Sequence, residues 1–145
     1  MLYRKIERYI EEYLRSDSDK ILLLEGARQV GKSYIVREVA KRLYVNFVEL
    51  NFVEDDEGAK LFKEVHTTND FYMSLSMLAG EKLDKYENTL VFLDEIQQYP
   101  QYLTMLKFFR QERRYRFIAS GSLLGVTLRS TTSIPVGSII RKEMF

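Results

Sequence analysis

Apolar residues recur at helical spacing at Leu2, Ile6, Ile10, Tyr13 and Leu14, with Arg4, Glu7, Arg8, Glu11 and Glu12 between them. The chain therefore opens with an amphipathic helix, ended by Ser16 to Asp19. Ile21 to Leu24 is a short unbroken apolar run, as expected of a parallel strand buried on both faces. Period 3.6 returns at Ile35, Val36, Val39, Ala40 and Leu43. Tyr44 to Phe52 alternates and reads as a second strand, followed by the acidic loop EDDEG. Helices are predicted around Ala59 to Val65 and, behind an Asn69 cap, over Phe71 to Ala79. Thr89 to Leu93 is the most apolar strand, and Tyr102, Leu103, Leu106 and Phe109 mark the helix after it. Phe117 to Ala119 and Ile139 to Met144 complete five strands. Strands separated by helices imply right-handed crossovers and an α/β fold, a parallel sheet with helices on both faces.

Between the first strand and its helix lies GARQVGKS, Gly26 to Ser33, which fits the Walker A pattern of Gly, four free positions, then Gly, Lys and Ser or Thr. Gly26 and Gly31 allow a turn tight enough to aim successive N–H groups at phosphate oxygens, and the helix beginning near Lys32 adds its positive end. Lys32 would reach the β and γ phosphates and Ser33 would ligate Mg2+. The expected nucleotide cradle is Gly26, Ala27, Arg28, Gln29, Val30, Gly31, Lys32, Ser33 and Tyr34. Within it, Arg28 reads more readily as a surface side chain than as a phosphate ligand. The motif by itself implies ATP binding, not hydrolysis.

Hydrolysis depends on TLVFLDEIQQYP, Thr89 to Pro100. A carboxylate at the C-terminal end of a central parallel strand lies where open α/β sheets bind ligands. Asp94 is thus the candidate Walker B ligand of Mg2+. Glu95 has no reason to be packed in a core, and beside Asp94 it could deprotonate a water for in-line attack on the γ phosphate. The bland alternative is that both acids merely open the next turn. In FIASGSLLG, Ser120 and Ser122 are candidates to sense the γ phosphate or attacking water, with Ser120 preferred of the two; the plainer alternative is a strand-to-helix turn with a Ser cap.

Composition narrows the picture in three ways. With 145 residues, 46% hydrophobic and 30% charged, the chain suits one compact domain over residues 1–145. Twenty-two Lys and Arg against twenty-one Asp and Glu leave +1, so there is no overall footprint for nucleic acid or an anionic membrane. There is no cysteine, which excludes disulfides and thiol chemistry and suits a cytoplasmic protein. No apolar run approaches the ~20 residues of a membrane span.

GARQVGKS, VFLDEIQQYP, FIASGS and IPVGSIIRKEMF together resemble the ATPase domain of a large group of prokaryotic predicted AAA+ superfamily ATPases, over nearly the whole chain. The resemblance implies Mg-ATP and an additional-strand P-loop fold of five parallel strands in the order 5-1-4-3-2. In that group a lid and a C-terminal domain of unknown function normally follow. Here SIIRKEMF runs strand-like to Phe145, so the chain reads as the N-terminal part of a longer protein whose missing domain is a partner. A departure from the group is Gly137 followed by Ser138 where Arg is frequent, with Arg141 further along.

Arg129 stands where AAA+ proteins often offer an arginine finger to a neighbour, which would imply a homo-oligomer, although a solvated helix-end Arg is the more ordinary reading. Arg110, Arg113, Arg114 and Arg116 around Tyr115 read first as a solvated helix end and only secondarily as a nucleic-acid contact. His66, the one histidine, lies in a polar stretch without a metal or base role. The Tyr and Phe residues sit at core spacing. Three readings stay open: an ATP-hydrolysing domain with Lys32, Ser33, Asp94 and Glu95 as its working set; a nucleotide-gated switch with negligible turnover; and a P-loop kinase, which would need a place for an acceptor hydroxyl.

Overall fold

The computed structural model describes residues 2–26, 31–53, 61–122 and 136–144. Its elements are α1 (Leu2–Arg15), β1 (Ile21–Glu25), α2 (Lys32–Leu43), β2 (Asn46–Asn51), α3 (Thr68–Ala79), β3 (Thr89–Asp94), α4 (Gln101–Glu112), β4 (Arg116–Gly121) and β5 (Ile139–Glu143). Short 3-10 turns occupy Gly80–Lys82, Ile96–Gln98 and Val136–Ser138. The strands form one parallel sheet in the order β2-β3-β4-β1-β5. Read from the other edge, this is the expected order 5-1-4-3-2.

The unbroken apolar runs are explained by helices on both faces. In β1, Ile21 and Leu23 face one core while Leu22 and Leu24 face the other; in β3, Val91 and Leu93 oppose Leu90 and Phe92. One layer is α1 and α2, contributing Ile6, Ile10, Ile35, Val36 and Val39. The other is α3 and α4, contributing Phe71, Leu75, Tyr102, Leu106 and Phe109. The core on that face holds most of the buried aromatics: Phe109 stacks on Phe117 of β4 at 4.5 Å between ring centres, and Phe71 sits 5.7 Å edge-on to Tyr102. Each such ring contributes about 1.5–3 kcal/mol by burial.

Local boundaries shift where polar residues cap or pair. Helix α3 begins at Thr68, because extended Thr67 accepts the Asp70 N–H on its hydroxyl at 3.1 Å. Thr67 is therefore the cap, and Asn69 lies within the first turn. Of the helix expected around Ala59 to Val65, residues 61 and 62 are helical; its start and the EDDEG loop lie outside the described residues. Among the described residues no helix is long and apolar enough to cross a membrane.

The arginine cluster is neither simply solvated nor presented as a basic face. Arg116 opens β4 and is 5% exposed, with Nη1 and Nη2 donating to the carbonyls of Tyr13 (3.0 Å), Leu14 (3.3 Å) and Ser16 (3.3 Å) at the end of α1. Its guanidinium also lies 4.8 Å from the Tyr13 ring centre. Arg110 donates to the Ser18 carbonyl at 2.6 Å, Arg113 pairs with Asp17 at 3.0 Å, and Arg114 lies over Tyr72 at 4.5 Å. Three of the four thus tie the loop after α1 to the region around the end of α4. They supply the partners that a helix C-terminus otherwise lacks. Arg116→Ala should cost about 2–4 kcal/mol through the orphaned carbonyls. In a thermal melt that is a drop of roughly 5–15 °C for a domain of this size; a variant melting with the wild type would show that these bonds do not hold α1.

Candidate functional site

The C-terminal ends of the parallel strands gather the chemistry. Gly26 leaves β1 with its N–H on the Gly121 carbonyl at 3.2 Å, so the glycine segment starts beside the end of β4. Gly31 has φ 86°, a conformation that suits glycine and turns the chain into α2. Helix α2 then buries Ile35, Val36, Val39 and Ala40 against the sheet, which fixes its N-terminus over the strand ends. Lys32 and Ser33 follow as its first residues.

Asp94 closes β3 and is 3% exposed. Its Oδ2 accepts from Ser33 Oγ at 2.6 Å and from Asn51 Nδ2 at 3.1 Å, while Oδ1 accepts from Ser120 Oγ. One carboxylate therefore joins α2, β2, β3 and β4. Asn51 reaches it because β2 pairs in register with β3, placing Asn51 opposite Asp94. Ser120 is fully buried and its hydroxyl is engaged on Asp94.

Glu95 differs from its expected setting outside a core: it is 4% exposed. The physical reason is a set of partners that accepts a buried charge. Lys32 Nζ lies 3.6 Å from Oε1, Gln97 Nε2 donates to Oε2 at 2.6 Å, and Ser122 Oγ donates to Oε2 at 3.0 Å. Lys32, whose side chain is 4% exposed, also donates from its ammonium to the Gly26 carbonyl at 3.0 Å. The backbone of Glu95 is left-handed (φ 61°, ψ 49°), folding the chain sharply at the strand end so that Ile96 enters the core.

A second pair flanks the loop. Glu25, the last residue of β1, takes the Arg141 guanidinium on both carboxylate oxygens, with Nη2 to Oε2 at 2.9 Å and Nε to Oε1. The bond to Glu25 raises the Arg141 pKa above its ordinary value. Met144 N–H adds a 2.7 Å bond to the Glu25 carbonyl, so the end of β5 is fastened to the root of the loop.

The donor set suits Mg2+ with a nucleotide polyphosphate. Ser33 and Asp94 bring hard oxygens to one point, and Mg2+ characteristically takes one or two such groups and completes its shell with phosphate oxygens and water. Among the described residues no group of three or more His, Cys, Asp or Glu gathers as an all-protein metal cage. Lys32 is a buried cation within reach of the loop.

Of the residues singled out on sequence, Gly26, Gly31, Lys32, Ser33, Asp94, Glu95, Ser120 and Ser122 converge here. Tyr34 is 54% exposed on α2. Ala27, Arg28, Gln29, Val30 and Arg129 lie outside the described residues. Asn51 and Gln97 are contributors that residue pattern did not single out. A polar residue closing an alternating strand beside the Asp94 strand was the available signal for Asn51; the DEIQQ string contained Gln97.

A family profile described as an AAA domain matches residues 18–145. No curated protein sequence matches the chain. Among solved structures the chain is similar to C. elegans PCH-2, with 16% identity and a TM-score of 0.57 over 99% of this chain and 42% of that one. It is also similar to Hsp104 in a closed state with ATPγS and FITC-casein, with 16% identity and a TM-score of 0.58 over 100% of this chain and 28% of that one. The chain thus spans less than half the length of each, and at such identity the likeness shows the fold.

Proposed function

Because the chain belongs to the AAA domain family and carries the nucleotide-binding, ATPase-like domain of the AAA+ superfamily, we propose that it binds ATP with Mg2+ and hydrolyses it. The observation that carries this reading is the meeting of Ser33, Asp94, Lys32 and Glu95 at the ends of β1 and β3. Bound Mg2+ would supply charge neutralisation on the β and γ oxygens. Ser33 and Asp94 would hold it, with Asn51 and Ser120 fixing the Asp94 carboxylate. Lys32 would exchange its contacts with Gly26 and Glu95 for phosphate oxygens. Glu95 would accept a proton from water as the water oxygen bonds to the γ phosphorus and the bond to the ADP oxygen breaks. Those atoms balance as ADP, phosphate and a proton.

The nucleotide-gated switch is favoured by one specific observation: Arg141 and Met144 fasten β5 to Glu25, one residue before the phosphate loop. A change in the loop on binding would be felt by β5. The two readings part on turnover.

Mg-ATP near a hundredfold excess over its Kd should stabilise the chain by about 2.7 kcal/mol. That corresponds to a rise of roughly 5–10 °C in Tm for a domain of this size. The companion assay is phosphate release with and without EDTA. A Tm indifferent to millimolar Mg-ATP overturns nucleotide binding; a raised Tm without phosphate release overturns hydrolysis and leaves the switch.

A further inference from the structure

We infer that Gln97 and Ser122 are positioning residues that clamp one oxygen of Glu95 so that the other is presented to the phosphate lysine. This rests on the hydrolytic reading above; it adds Gln97 to that site and gives Ser122 a role on Glu95 in place of one on the γ phosphate.

Three features carry the inference. First, Glu95 occupies a left-handed backbone position, φ 61° and ψ 49°, which is costly for a residue with a Cβ. The turn it makes starts the short 3-10 segment Ile96–Gln98 and brings Gln97 back over the side chain of the residue two before it. Second, both donors converge on the same atom. Gln97 Nε2 and Ser122 Oγ lie 2.6 and 3.0 Å from Glu95 Oε2, and they are linked to each other at 3.3 Å, so the three groups close a triangle. The opposite oxygen, Oε1, is the one beside Lys32 Nζ at 3.6 Å. Third, Gln97 Oε1 is buried without a hydrogen-bond partner among the described residues. Rotating the amide would set an acceptor 2.6 Å from the Glu95 carboxylate, so the donor end is the one that faces it. An orphaned acceptor is a standing cost, and here it accompanies an amide whose donor end is committed to Glu95.

The clamp spans two elements: Gln97 belongs to the turn after β3, and Ser122 directly follows β4. It therefore ties the proposed base to the strand that also supplies Ser120 to Asp94. In the attacking step Oε2 stays with its donors and Oε1 receives the water proton.

The test uses Gln97→Met, which keeps length and loses both polar ends, with Ser122→Ala and Ser122→Thr beside it. Gln97→Met and Ser122→Ala should each lower kcat by about 10–100-fold, with KM within about threefold of wild type, while Ser122→Thr retains activity through its hydroxyl. In a Glu95→Gln background, Gln97→Met should bring no further loss, since its effect passes through Glu95. An independent readout needs no nucleotide: the Gln97 side-chain amide in an NMR spectrum should be displaced from the free-glutamine position and return to it in Glu95→Ala. A Gln97→Met enzyme with wild-type kcat, losses that multiply in the double variant, or an undisplaced amide in wild type each overturns the inference while leaving hydrolysis standing. A wild type that releases no phosphate overturns both.

Discussion

Glu95→Gln should bind Mg-ATP as well as the wild type or better, and release phosphate on the order of a thousandfold more slowly, the range in which a general base contributes. The substitution is nearly isosteric. Its carbonyl oxygen can still accept from Gln97 and Ser122, so the sharp turn into Ile96–Gln98 has no packing reason to change. What disappears is the negative charge 3.6 Å from Lys32. In the wild type that charge competes with phosphate for the ammonium, so its removal favours binding while removing the proton acceptor. Single-turnover phosphate release, measured beside nucleotide titration, separates the two effects. Equal turnover in variant and wild type would place the proton acceptor elsewhere.

Lys32→Ala should weaken Mg-ATP binding by on the order of a hundredfold, as expected when one partner of a buried charged contact is truncated, and shrink the nucleotide-dependent rise in Tm to about 1–2 °C at the same ATP concentration. The lysine is held in place before nucleotide arrives. Its side chain is 4% exposed and its ammonium bridges the Gly26 carbonyl to Glu95, so it is positioned at the root of the loop rather than extended into solvent. Truncation also removes the cation beside a buried carboxylate, which by itself destabilises the fold. Lys32→Met, which keeps most of the side-chain volume, is the control for packing. Both variants should lose most of the ATP protection, and a variant whose Tm rises with Mg-ATP as much as that of the wild type would assign the phosphate contact to another group.

The fold was legible because its signals are local and redundant. Unbroken apolar runs at Ile21–Leu24 and Leu90–Leu93, each followed by amphipathic helical spacing, are what strands covered on both faces require. The glycine segment stood out because Gly26 and Gly31 lie between an apolar strand and an amphipathic helix, and the structure places β1 and α2 on either side of it. Asn51 and Gln97 did not stand out because their roles depend on register and on a backbone turn, neither of which a residue pattern states. Asn51 meets Asp94 only through the β2–β3 pairing, and Gln97 meets Glu95 only through the left-handed residue between strand and turn. The arginine cluster shows the same limit from the other side. Its charge is plain in the sequence, but Arg110 and Arg116 are held by carbonyls at and just after the end of α1, roughly a hundred residues earlier, and main-chain acceptors leave no trace in the pattern of side chains.

The convergence of Ser33, Asn51 and Ser120 on Asp94 has a consequence for how this chain can diverge. Three positions far apart in the sequence share one acceptor, so a change at any of them alters what is tolerated at the other two. A Ser120→Ala lineage would lean harder on Asn51, and the reverse; the same replacement would be mild in one background and disabling in another. History, not only chemistry, would then decide which polar residues surround the carboxylate in a given descendant, and variation at these sites should be inherited in combinations.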